Sequence, residues 1–174
     1  SVDTSMGFTA LDGLMMGTRC GTIGPGVLLY LLNQKGLTPR ALEHLLYQES
    51  GLLGVSGISS DMRTLLSSDD PRAAEAIDLY TYRIAREIGA LTASVGGLDG
   101  LVFTAGVGEN APEIRRQVCR RLTWLGVKID ERTNTVGAAR IDAADSSVAV
   151  HVIPTDEERM IALHTRAALE SRGT

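Results

Sequence analysis

Apolar positions recur at spacings of three and four along most of the chain, and give way to short β-branched runs in its C-terminal half. Pro25 suits a first helical position. Val27, Leu28, Leu31 and Leu32 put one apolar face on the helix it opens, which Gly36 closes. Thr38-Pro39 starts a second helix, with Leu42, Leu45 and Leu46 inward and Gly51 just past its end. Residues 52–62 are rich in Gly and Ser and read as a loop. Asp70-Pro71 opens the longest helix. Ala73, Ile77, Tyr80, Ile84, Ile88, Leu91 and Val95 share its buried face, and Gly96-Gly97 stops it.

Leu101 to Thr104 reads as a buried strand ending at a glycine turn. Asn110 with Glu113 forms a predicted capping box for a helix buried through Ile114, Val118, Leu122 and Leu125. Gly126 ends it, and Val127 to Asp130 reads as a short strand or edge. Residues 131–147 are polar and predict a surface excursion, whereas 147–153 alternate as a strand. Thr155 with Glu158 predicts a capping box for a last helix carrying Met160, Ile161, His164 and Leu169. Residues 1–8 read as the end of a strand entering a loop. They lack an initiator Met, which suggests a fragment or a processed product. The order of elements predicts an α/β layered fold.

Composition narrows the functions. A chain of 174 residues can bury one sizeable core. Net charge of −4 gives no support for a nucleic-acid partner, and aromatics at 4% leave little for base stacking. Arg115-Arg116 and Arg120-Arg121 alternate with apolar positions and read as a solvated helix face. Cys20 and Cys119 lie far apart without metal-ligand spacing, so a reduced cytoplasmic protein is the default. No signal peptide opens the chain and no apolar run is long enough to span a bilayer, so no membrane partner is expected.

The candidate chemistry begins with Gly106-Val107-Gly108-Glu109-Asn110. A strand, two glycines and a helix start suit a nucleotide- or phosphate-binding turn, or simply a tight strand-to-helix connection. With Ala111 the stretch also fits the dinucleotide pattern G-x-G-x-x-A, with Asp130 near the offset of a ribose-binding acid, which would make an NAD enzyme. Arg19, between small residues, is either a surface charge or a guanidinium for phosphoryl or carboxylate oxygens. Asp61-Met62-Arg63 suits an ion-paired turn or a site. Glu157, in a first helical turn, complements the helix dipole or serves a magnesium ion. Cys20 beside Arg19 has no evident base and reads as a small packing residue.

Four separated stretches resemble one family. Residues 3–21, with Arg19 near the end, resemble the acetate kinase signature, and residues 50–63 its next block. Residues 102–110 are similar to its adenosine-contacting loop and residues 152–158 to its C-terminal block. The resemblance implies the acetate and sugar kinase/Hsp70/actin (ribonuclease H-like) fold, a mixed sheet flanked by helices. It implies that residues 1–174 are a C-terminal nucleotide-binding domain, incomplete at its N-terminal end. The implied reaction is reversible γ-phosphoryl transfer from ATP to acetate, propionate or another short-chain carboxylate, with Mg²⁺. Arg19 would stabilise the transferring group. Asp61, Met62 and Arg63 would contact nucleotide, Gly106, Val107, Gly108, Glu109 and Asn110 would hold the adenosine end, and Glu157 would organise Mg²⁺. The family's other catalytic groups would lie in a missing N-terminal half, so the chain alone would be inactive. A homodimer is implied, and a non-catalytic nucleotide-binding or dimerisation module is the alternative. Two departures stand out: Gly24 where the family carries an acid, and Asp156 where it carries Asn.

Overall fold

The computed structural model describes residues 1–172. Its centre is the long helix, and the reasons are local. Asp70 Oδ1 accepts the Arg72 amide at 2.9 Å, Pro71 occupies the first turn, and Gly96 closes the far end in a left-handed conformation with φ +80°. We number the helices in chain order: α1 (Pro25–Asn33), α2 (Pro39–Gln48), α3 (Gly51–Ser56), α4 (Met62–Leu66), α5 (Pro71–Val95), α6 (Ala105–Asn110), α7 (Pro112–Arg121), α8 (Glu131–Thr135) and α9 (Glu157–Arg172). Helix α5 buries Ala73, Ala76, Ile77, Thr81 and Ala85. Small side chains there let α3, α4 and α7 approach closely, and all three pack on it.

Strand β1 (Gly100–Phe103) pairs in parallel with β2 (Ala149–Val152), with Leu101 opposite Val150 and Phe103 opposite Val152. The far side of β2 carries an antiparallel bridge from Arg140 to His151, so the mixed character of the sheet rests on one bridge beyond a two-stranded parallel pair. Val118, Leu122, Val127, Ile141 and Val150 are fully buried and join sheet and helices in one core. The chain is α/β, as its element order predicts.

Several expected elements are built differently. Residues 52–62 are not a loop: α3 is buried through Gly51, Leu52 and Ser56, and Met62 begins α4 with its side chain in the core. Gly51 does not trail α2 but starts α3, at φ +63°. The excursion over 131–147 contains α8 and the fully buried Ile141. Residues 1–8 hold no strand. Helix α1 forms as expected behind Gly24, which offers no side-chain cap, but buries none of its apolar face; Val27, Leu29 and Tyr30 are exposed. Helix α9 likewise leaves Met160, Ile161 and Leu169 exposed. Among the described residues no helix is long and apolar enough to cross a membrane.

Candidate functional site

The turn carrying Arg19 is shaped by backbone approach. The Met16 amide donates to Arg19 O at 3.0 Å, and the Leu52 and Leu53 amides donate to Met16 O and Gly17 O at 2.9 Å each. The turn therefore sits on the start of α3. A Cβ at Gly17 would lie 2.9 Å from Ser60 O, so the same turn abuts the residue before Asp61. Arg19 is half-buried, its guanidinium 5.9 Å from the centre of the Tyr47 ring and its Nη1 3.6 Å from Met16 Sδ. It makes no ion pair among the described residues, which leaves donors for a ligand anion. Burial pushes the Cys20 thiol up, against a nucleophilic role.

Asp61 caps α4: its Oδ1 accepts the Arg63 amide at 2.7 Å, while the Arg63 side chain folds back on both carboxylate oxygens. The Arg63 side-chain and backbone hydrogen bonds hold the Asp61 carboxyl at about 2, below its ordinary 3.8. Since the folded value is depressed, the cap's contribution is complete above pH 3.8 and is lost as pH falls through about 2. A carboxyl-carbon NMR titration of Asp61 is expected to show its midpoint near 2; an ordinary midpoint near 3.8 would remove the pairing. Arg63 itself is 90% exposed, whereas Met62 between them anchors α4 in the core.

The glycine turn is itself a helix, not a loop ahead of one. Ala105 turns the chain at φ +59°, a conformation that costs a non-glycine residue about 1–2 kcal/mol. Gly106 and Gly108 lie within α6, and a Cβ at Gly106 would touch nothing within 4 Å. Asn110 does not cap α7. Its Nδ2 donates to Gly106 O at 2.9 Å, and Glu113 pairs with Arg116 instead of reaching back. Val107 packs against the core. Glu109 turns to Thr155, whose amide and hydroxyl donate to its Oε1 at 2.9 and 3.0 Å and hold the carboxyl below its ordinary range. The expected Thr155–Glu158 box is thus absent, and Asp156 Oδ1 accepts the Arg159 amide instead. Glu157 is exposed in the first turn of α9, two residues from the Thr155 tie.

The candidate residues fall into linked groups. The turn of Arg19 meets Ser60, the residue before Asp61, through Gly17, and Glu109 ties the glycine helix to the segment of Glu157. A groove of about 990 Å³ runs between α4 and α7, lined among others by Leu65, Leu66, Ile77, Glu113 and Arg116. None of the candidate residues lines it: on α4 it meets only Leu65 and Leu66, at the end away from Asp61, and on α7 it runs from Glu113 to Arg121. No direct bond joins Arg19 to the glycine helix among the described residues. No three His, Cys, Asp or Glu side chains converge there into a metal cage either.

One residue escaped the sequence reading. Arg115 does not lie on a solvated face; it is 1% exposed. Its Nη1 donates to Gly108 O and Glu109 O at 2.8 and 2.7 Å, its Nε to Asn134 Oδ1 at 2.8 Å, and its Nη2 to Asn134 O at 2.7 Å. The signal was present, because Arg115, Cys119 and Leu122 share the buried helical spacing. The dinucleotide reading fails on the same ground. Asp130 caps α8 through the Arg132 and Thr133 amides, and β1 pairs with β2, not with residues 127–130.

The model of the Acetokinase family matches residues 1–163. An acetate kinase of Rhodopseudomonas palustris (strain TIE-1) is 64% identical over 166 residues, covering 94% of this chain and 42% of the relative. The crystal structure of Porphyromonas gingivalis acetate kinase superposes with a TM-score of 0.87 at 43% identity, covering 95% of this chain and 43% of that one. A propionate kinase from Francisella tularensis subsp. tularensis SCHU S4 gives 0.87 at 39% identity, covering 92% and 42%. The chain spans less than half the length of these relatives.

Proposed function

Because this chain belongs to the acetokinase family, we propose that it supplies the C-terminal nucleotide-binding part of a kinase that moves the γ-phosphoryl group of ATP reversibly onto acetate or another short-chain carboxylate. The observation that carries this reading is Arg19, a half-buried guanidinium without a carboxylate partner among the described residues, set in a turn whose backbone is locked onto α3. Phosphoryl transfer asks a protein chiefly for positioning and for neutralising charge spread over the transferring oxygens. Arg19 supplies a fixed cationic fork for that charge. Asp61, Met62 and Arg63 would contact the nucleotide, and Gly106 to Asn110 would hold its adenosine end.

Glu157 offers one exposed carboxylate rather than a cage, which suits Mg²⁺, an ion that takes one or two carboxylates and fills its shell with water and phosphate. When bound, that ion would neutralise phosphate charge. The Glu109–Thr155 tie fixes the segment from which Glu157 projects. Residues 1–174 would then be one nucleotide-binding domain of a cytoplasmic enzyme, with the carboxylate pocket completed by the rest of a longer protein. The exposed apolar faces of α1 and α9 suit cover by that remainder or by a twin subunit. The same faces would serve a non-catalytic dimerisation module, but the unpaired Arg19 favours the kinase.

Gly106 is the cleanest probe, since a Cβ there would meet nothing within 4 Å. Gly106→Leu in the full-length protein is expected to weaken both ATP and adenosine about tenfold or more, with the melting temperature unchanged or raised, because glycine is a poor helix former. Calorimetric titration of both ligands reads this. Loss of ATP affinity with adenosine affinity unchanged would place the glycine helix at the phosphates instead.

A further inference from the structure

Arg115 is the largest fully buried side chain among the described residues, and it is charged. A buried guanidinium is costly unless its donors are satisfied. Among the described residues no carboxylate meets this one. Its partners are four oxygens, two of them the carbonyls of Gly108 and Glu109. Those carbonyls close the last turn of α6, where a helix leaves its acceptors unpaired and carries partial negative charge. Helix α6 has six residues, too few to hold its own shape. Its far end therefore depends on Arg115.

Asn134 aims the fork. It is 2% exposed and presents both Oδ1 and its own carbonyl to Arg115, while its Nδ2 donates to Pro112 O at 3.0 Å. Asp130 in turn caps the short helix that carries Asn134. Burial pushes the guanidinium down from its usual value, but an arginine remains charged throughout the working range. The network ends on the backbone of the turn, at Gly108 O and Glu109 O, whereas a Cβ at Gly106 would meet nothing within 4 Å.

We propose that Arg115 and Asn134 are positioning residues for nucleotide: they set the backbone of Gly106 to Asn110 through the Gly108 and Glu109 carbonyls and so determine affinity for the adenosine end of ATP. This rests on the reading of that turn as the adenosine loop. Misplacing a ligand-holding backbone by an ångström is enough to cost binding steeply. Lysine cannot replace the fork, because its single ammonium cannot reach two helix-end carbonyls and both Asn134 oxygens together.

The test uses Arg115→Lys and Asn134→Ala in the full-length protein, with steady-state kinetics for each substrate. The expected result is a KM for ATP raised on the order of tenfold, with kcat and the KM for the carboxylate within about twofold. Asn134→Asp keeps an acceptor for Nε and is expected to recover most of the ATP affinity lost in Asn134→Ala. A purely structural role would lower Tm and the active fraction and leave the KM for ATP unchanged, and that outcome overturns the proposal. If Arg115→Lys does not fold, Asn134→Ala alone decides it by the same split. Wild-type protein that fails to bind ATP overturns the functional reading itself, and is seen before any variant is made.

Discussion

Arg19→Ala in the full-length protein is expected to lower kcat about 10³-fold, with the KM for ATP changed far less. Arg19 contributes little to folding: one aromatic contact at 5.9 Å and one weak bond to sulfur. An exposed or half-buried cation–π contact is worth about 0.5–1 kcal/mol. The melting temperature should therefore fall by only a few degrees, while the proposed phosphoryl transfer would lose the cation assigned to its developing charge. Arg19→Lys keeps a charge but not the planar fork, and should recover only part of the rate. Rapid-quench measurement of phosphoryl transfer separates the chemical step from product release. A variant that folds normally and keeps its kcat within tenfold would remove Arg19 from the chemistry.

The turn of Arg19 also shows where sequence reading succeeds and stops. Asp70, Pro71 and Gly96 declared both ends of α5, because each acts through its own local backbone. The strand before Gly106 forms where its apolar run predicts, but it is not buried: its residues are half-buried or exposed, Val102 among the exposed ones. By contrast Gly51-Leu52-Leu53-Gly54-Val55-Ser56 has the composition of a loop, and only burial against α5 and the Met16–Arg19 turn makes it helical. Thr155 had the spacing of a capping residue, yet a carboxylate 46 positions upstream, Glu109, outcompetes the local partner. Arg115 was misjudged by its charge, since its acceptors are backbone carbonyls that no residue-type pattern records. The candidate residues stand out as motifs. Their supports do not, because the supports are long-range and mostly main-chain.

Gly51→Ala is expected to cost about 2–5 kcal/mol of stability, the sum of two separable effects. The first is conformational. Gly51 sits at φ +63°, where an L-residue loses about 1–2 kcal/mol. The second is steric. A Cβ there would lie 2.2 Å from Met16 O and 2.8 Å from Arg19 O, both main-chain atoms. They cannot withdraw cheaply, because Met16 O and Gly17 O accept the Leu52 and Leu53 amides at 2.9 Å, and Thr18 O accepts the Ser50 amide at 2.9 Å. Overpacking of this kind costs about 1–3 kcal/mol more. Gly96→Ala isolates the first effect: its φ is +80°, and a Cβ there meets nothing within 4 Å. Urea unfolding of the two variants should therefore differ by the steric part alone. Equal midpoints would show that the close approach of α3 to the arginine turn is absent in solution. Where Gly51→Ala does fold, the turn can accommodate the new methyl only by moving Arg19, so kcat should fall with stability, whereas Gly96→Ala should lose stability and keep its rate.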